Sequence, residues 1–263
     1  KPGEDAALID MGDRYLVAKT DPITFATDLI GWYVVQINAN DIAAMGGTPR
    51  WLMTTLLLPE GTSESAVEKI FDQLNEACDE QGVTLIGGHT EITYGLSRPI
   101  AVGAMLGEVA KDRVVLTSGA RAGDRIILTK GIAIEGTSIL AREVGEGLRE
   151  RGVDDATIER AKDFLFSPGI SVVKEATIAC DAVDVHAMHD PTEGGISGGL
   201  LEMAKAANIG LLIDEDAIPV LTECRQICDA LGLDPLGLIA SGSLLAAVPP
   251  EDVLALTVAL ADQ

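Results

Sequence analysis

Aromatic residues are scarce in this 263-residue chain: 3%, against 47% hydrophobic residues overall, so the core must come from Ala, Val, Ile and Leu. That palette favours β-branched strands packed under Ala/Leu helices in layers. Basic residues are scarce as well. Nineteen Lys and Arg face 41 Asp and Glu, giving a net charge of −22 and an isoelectric point near 4.3. A surface this acidic repels phosphate backbones and anionic lipid, so neither nucleic acid nor membrane is expected as a partner. The acids are spread along the chain and form no tail. Acid excess over few lysines also fits a salt-rich cytoplasm, where screening tolerates self-repulsion. No apolar stretch reaches the roughly 18 residues that cross a bilayer, and no signal-peptide pattern opens the chain. Four cysteines (Cys78, Cys180, Cys224, Cys228) are too few for a disulfide framework and read as reduced, buried small side chains. The expectation is a soluble cytoplasmic protein.

Two further absences narrow the chemistry. There is no Gly-x-x-x-x-Gly-Lys-Ser/Thr run, so a P-loop is excluded. Three histidines (His89, His186, His189) without paired cysteines make no recognised zinc spacing.

Strand signals fall at Ala6–Asp10, Tyr15–Thr20, Leu52–Leu58, Thr84–Ile86 and Ile100–Leu106, with helical signals at Asp28–Met45 and Ser63–Gln81, the second stopped by Gly82. The weakly periodic stretch Val109–Gly123 predicts a boundary near Asp112, hence domains 1–112 and 113–263. The second half reads as strand Arg125–Thr129, a helix from about Gly136 to Gly147, a polar helix Asp155–Phe166 and helix Ile170–Cys180. Strand Val183–Met188, helix Gly195–Ala207, strand Leu211–Ile213, helix Leu221–Leu231, strand Ser243–Val248 and helix Glu251–Ala261 follow. Mixed but not strictly alternating elements predict an α+β fold. The chain opens without methionine and stops inside an apolar helical pattern, so both ends read as cut.

Four glycine-flanked runs carry the chemistry: Gly3-Glu4-Asp5-Ala6-Ala7, Asn40-Asp41-Ile42-Ala43-Ala44-Met45-Gly46, Gly87-Gly88-His89-Thr90-Glu91 and His189-Asp190-Pro191-Thr192-Glu193-Gly194-Gly195. Asp41 lies on one helix face with Leu29, Tyr33, Ile37 and Met45, and a carboxylate in that apolar line is costly unless a cation or donors meet it. It either reaches a rim and caps a loop, or serves metal binding or catalysis. Asp5 and Asp21 flank strands, where a lone acid is commonly a turn residue or cap. Together with Asp41 they suggest a shared cation, since carboxylates about 5 Å apart repel by about 3 kcal/mol per pair and a divalent ion relieves that. The Gly87-Gly88 turn lets a backbone approach a ligand, or is a plain bend. Asp190 or Thr192 can cap the helix at Gly195, whose amides with Gly194 can hold an anion. Lys130, in a similar strand-to-helix turn, can neutralise phosphate, although exposed lysines commonly do nothing specific.

Taken in order, these runs, together with Thr20-Asp21 and Leu231-Gly232-Leu233-Asp234-Pro235-Leu236, resemble the superfamily of aminoimidazole ribonucleotide (AIR) synthetase, thiamine-monophosphate kinase, selenophosphate synthetase and the hydrogenase-maturation factor HypE, the last most of all. The resemblance spans essentially the whole chain. It implies a two-domain PurM-like α+β fold. The N-terminal sheet would complete a barrel in a homodimer, beside a layered C-terminal domain. It implies ATP held between the domains with magnesium on Asp5, Asp21 and Asp41, phosphates near Gly88, Thr90 and Gly194, and Asp41 and Asp190 as the catalytic pair, Asp190 orienting substrate or closing the cleft. The implied reaction activates an amide or similar oxygen of a small-molecule or carrier-protein substrate through the γ-phosphate. A small-molecule kinase or a non-catalytic nucleotide-binding assembly subunit is the alternative. Departures stand beside the match. His89 replaces the usual acid before Thr90, Ala133-Ile134-Glu135-Gly136 replaces Gly-Asp-His-Gly, and Glu193 replaces an arginine. The maturation factor's C-terminal cysteine, which takes a carbamoyl group and is dehydrated to a thiocyanate, is not among these residues.

Overall fold

Residue alternation explains the first sheet. The computed structural model describes residues 3–25 and 28–262, and its chain divides into two compact units. One holds Asp5–Val114; the other holds Val115 onward together with Gly3 and Glu4. The first unit runs β1 (Ala7–Asp10), β2 (Arg14–Ile23), α1 (Ile30–Ala44), β3 (Thr48–Leu58), α2 (Glu64–Gln81), β4 (Thr84–Ile92) and β5 (Ile100–Ala110). The strands form one sheet in the order β1-β2-β5-β3-β4, antiparallel except for the β3–β4 pair. Ala101, Gly103, Met105, Gly107 and Val109 of β5 are buried, while the residues alternating with them are only half-buried. Val17 and Ile23 of β2 and Leu52 and Leu56 of β3 share the buried face, against α1. Met53, Leu57, Val102, Ala104 and Leu106 lie on the other face, half-buried or exposed.

Every residue of α1 is buried, because the helix lies between that sheet and α2. Gly31 permits the close crossing: a Cβ there would lie 2.3 Å from the Ile70 carbonyl oxygen. Helix α2 begins and ends as its sequence dictates. Ser63 Oγ accepts from the Ala66 amide at 3.3 Å, and Gly82 closes the helix at φ 64°.

The second unit contains β6 (Arg125–Thr129), α3 (Ile134–Glu143), α4 (Gly145–Glu150), α5 (Asp155–Asp163), α6 (Val173–Ala182), β7 (Ala187–His189), α7 (Gly195–Ala207), α8 (Thr222–Leu231), β8 (Leu244–Val248) and α9 (Val253–Ala261). Its sheet is antiparallel, β6-β8-β7, with a fully buried central strand. Ile132, Ile196, Met203, Leu245 and the paired Cys224 and Cys228 share its core. All four cysteines are free; only Cys180 is less than buried.

Local departures from the sequence expectations have local causes. The helix expected over Gly136–Gly147 is two helices, broken at Val144. Leu211–Ile213 is not a strand; Leu212 is fully exposed, and the segment lines a cavity of about 740 Å³ against Ile126, Leu128 and Leu200. The strand expected at Thr84–Ile86 runs on to Ile92, so Gly87 and Gly88 lie within a strand and not on a turn.

Candidate functional site

Asp41 sits in the last turn of α1 with 6% of its surface exposed. The cation that the apolar surroundings demand is Lys19. Its Nζ stands 2.8 Å from Asp41 Oδ1 and 3.2 Å from Asp21 Oδ2. Strand alternation brings Val17, Lys19, Asp21 and Ile23 to one face of β2, towards α1, so the lysine stem lies along the core and its head meets both acids. At an effective dielectric of 20, each contact is worth about 5 to 6 kcal/mol before desolvation is subtracted.

Asn38, one turn before Asp41, fixes the spacing. Its Oδ1 accepts from the Asp21 amide at 2.9 Å, and its Nδ2 donates to the Val34 carbonyl at 2.8 Å and the Asp21 carbonyl at 3.4 Å. Gly103, opposite Asp21 on β5, gives this amide its space; a Cβ there would lie 2.4 Å from Asn38 Nδ2. Asp21 and Asp41 are thus brought together, bridged by an ammonium group. Asp5, half-buried just before β1, does not join them in a three-carboxylate group with donor atoms within 4.8 Å of one another. Lys19 escaped the motif reading, although its place two residues before Asp21 on one strand face was the available signal.

Gly88 and Thr90 lie exposed in β4, opposite Thr54 and Leu56 of β3. The pairing slips by one residue past Leu52, leaving Ile86 bulged outwards and the two glycines at φ 147° and 152°. A Cβ on Gly88 would lie 1.9 Å from the Thr54 carbonyl oxygen, so only glycine fits. His89 Nε2 stands 3.1 Å from Glu91 Oε2. The Thr93 hydroxyl and then His89 hold the Glu91 carboxyl below its ordinary range.

In the second unit, Asp190 is buried immediately after β7. Its neighbour His189 meets Glu202 of α7 at 2.9 Å. Neither Asp190 nor Thr192 caps α7 through its side chain, contrary to the sequence expectation. Gly194 occupies the cap position at φ 78°, while the Thr192 carbonyl accepts from the Gly195 and Ala240 amides at 3.2 Å each. Gly195 cannot be replaced without strain, because a Cβ would lie 2.4 Å from the Leu236 carbonyl oxygen. Lys130 is not an exposed phosphate clamp: it is largely buried, stands 3.2 Å from Glu175 Oε1 and donates to the Ser171 carbonyl. Burial lowers its pKa, with Glu175 opposing.

Glu135, in the first turn of α3, is a buried acid whose environment the sequence did not disclose. Burial pushes its carboxyl up to about 7; the nearby Ser241 hydroxyl pulls against this, and Glu193 adds repulsion. The Ser241 hydroxyl is near enough to favour the charged form without hydrogen-bond geometry, and Glu135 Oε2 and Ser241 Oγ are both buried without a hydrogen-bond partner among the described residues. The replaced Gly-Asp-His-Gly run marked the place but not the environment.

These two sites belong to a chain with clear relatives. The family described as AIR synthase related protein matches with its N-terminal domain over residues 3–109 and its C-terminal domain over residues 121–263. A Methanocaldococcus jannaschii protein named for hydrogenase expression and formation is 35% identical over 254 residues, 95% of this chain and 72% of that protein. The carbamoyl dehydratase HypE of Rhizobium leguminosarum bv. viciae is 31% identical over 99% of this chain and 73% of its own length. A crystal structure of the hydrogenase maturation protein HypE in complex with ATP matches at a TM-score of 0.76 and 25% identity, covering 99% of this chain and 77% of that one. The chain belongs to the AIR synthase related family, with the two-domain α+β fold of its PurM-like members and a clear likeness to HypE.

Proposed function

We propose that this protein binds ATP with magnesium and uses the γ-phosphate to activate an amide or similar oxygen of a small-molecule or carrier-protein substrate, in chemistry related to hydrogenase maturation. The observation that carries the reading is the convergence of Asp21 and Asp41, fixed by Asn38, in a chain similar to a carbamoyl dehydratase and to an ATP complex of HypE. In this reading Asp21 and Asp41 hold magnesium, and Asp5, although not grouped with them in this structure, is assigned a further contact to the ion. Two converging carboxylates suit an ion that prefers oxygen and keeps several positions for water and phosphate. Bound there, magnesium would neutralise phosphate charge; the protein's own share is positioning. Gly88 and Thr90 offer an exposed strand backbone and hydroxyl to the phosphates, and Gly194 with the uncapped start of α7 offers amides. Asp41 and Asp190 are assigned the catalytic roles, Asp190 orienting the substrate.

The half-exposed apolar face of the first sheet suits a second copy of the chain, completing a barrel across a homodimer. No helix among the described residues is long and apolar enough to cross a membrane, and a cytoplasmic location goes with the proposed chemistry. Calorimetry with magnesium and ATP tests the nucleotide site: Asp41→Ala should abolish magnesium-dependent binding while the fold survives, and unchanged affinity removes Asp41 from the site. Mass spectrometry of products then separates the chemistries. Free phosphate with a dehydrated product supports the proposal, phosphate kept on the product makes the protein a kinase, and tight binding without turnover makes it an assembly subunit.

A further inference from the structure

We infer that Lys19 is a resident counter-cation, holding the Asp21–Asp41 pair in place of a divalent ion and releasing it only when a triphosphate arrives. The inference deepens the proposed magnesium–ATP reading and rests on it. Its ground is which partner in the cluster is able to move. Asp41 is fixed in a helix buried on all sides, and Asp21 is fixed by two hydrogen bonds between its backbone and Asn38. Lys19 hangs on a long flexible stem, with 24% of its side chain exposed against 8% for Asp41, while Asp21, 32% exposed, is a short side chain on a tethered backbone. Two acids against one ammonium leave a net negative charge, enough to attract metal weakly. A free divalent ion must nevertheless displace the ammonium and lose water to enter. Nucleotide phosphates change that balance. They bring the ion with them and give the departing ammonium an anionic oxygen to meet, so no charge is left uncompensated. The device makes metal uptake conditional on nucleotide.

Manganese provides a spectroscopic probe, counted as free ion by electron paramagnetic resonance on the full chain. Without nucleotide the wild type should bind manganese weakly, and Lys19→Met should bind it about tenfold more tightly or better. Adding Asp41→Asn to Lys19→Met should remove the gain. With a non-hydrolysable ATP analogue the wild type should bind manganese tightly. Equal affinity of wild type and Lys19→Met without nucleotide overturns the inference. So does tight binding of manganese by the wild type alone. If Lys19→Met does not fold, Lys19→Gln takes its place: without nucleotide it should bind manganese more tightly than the wild type, and equal affinity overturns the inference. Analogue binding, measured separately by calorimetry, distinguishes the failures. No analogue bound by any variant sinks the nucleotide reading, whereas intact analogue binding with unaltered manganese affinity sinks only the role of Lys19.

Discussion

Asp41 and Glu135 are both acids buried in helices, one in each unit, and their surroundings handle the charge in opposite ways. Asp41 keeps a cation at 2.8 Å. Glu135 has a hydroxyl and a second acid nearby, and its carboxyl rises to about 7. The first arrangement stabilises the charged form and makes the acid a place for cations. The second favours the protonated form, so near neutral pH Glu135 is poised to hold or release a proton. Burial alone therefore does not say what an acid is for; its nearest charge does.

The comparison breaks most visibly if Lys19 is removed. Lys19→Met leaves Asp21 and Asp41 facing each other with their shared ammonium gone, and should cost about 4 kcal/mol of unfolding free energy, measured by urea denaturation at neutral pH. A loss under about 1 kcal/mol would mean that the pair is solvated and the ammonium incidental. Glu135→Gln should do the reverse. Because the folded-state pKa lies above the unfolded value of 4.5, the contribution of Glu135 to stability is fully present below 4.5 and is lost as pH rises to about 7. At about 1.4 kcal/mol per unit, that loss comes to about 3.5 kcal/mol. Glu135→Gln should therefore match the wild type at pH 4 and exceed its stability by about 3.5 kcal/mol at pH 8. A pH-independent difference would show that packing, not ionisation, sets the effect.

How far these arrangements could be read beforehand follows from their range along the chain. Helix α2, with Ser63 before it and Gly82 after it, was legible because capping is decided within four residues. Strand β6 and helix α7 were legible from their patterns, and the α+β class from their order. Gly87 and Gly88 were misread as a turn, because they lie in a strand paired with β3, and the need for glycine at position 88 comes from Thr54 of that neighbouring strand and not from the residues beside it. Leu211–Ile213 carries a strand-like apolar pattern yet pairs with no strand, since pairing depends on an edge that the pattern does not contain. Asp21 and Asp41 were identified as acids needing a cation. That the cation is Lys19 depends on how β2 faces α1. Glu135 was visible as an oddity in its motif, but the burial that raises its pKa, and the distant Glu193 and Ser241 that add to and oppose that rise, depend on how the chain folds around it.

Smaller substitutions sharpen the contrast by asking which side of an ion pair matters. Asp41→Asn keeps an oxygen that can accept from Lys19, and Lys19 keeps Asp21, so the expected cost is about 1 kcal/mol, well short of that for Lys19→Met. If the two variants lose equal stability, the ammonium does not serve both acids at once.

The least effect belongs to the pair at His189. There the acid, Glu202, is 53% exposed while the imidazole is nearly buried, so water already solvates the charge that would be lost. Glu202→Gln keeps an oxygen able to accept from the ring and should change stability by no more than about 0.5 kcal/mol at pH 8, measured by the same urea titration. A loss above about 2 kcal/mol at pH 8 would place Glu202 with Asp41 among acids whose charge the fold requires, and exposure would then be a poor guide to which pairs hold this protein together.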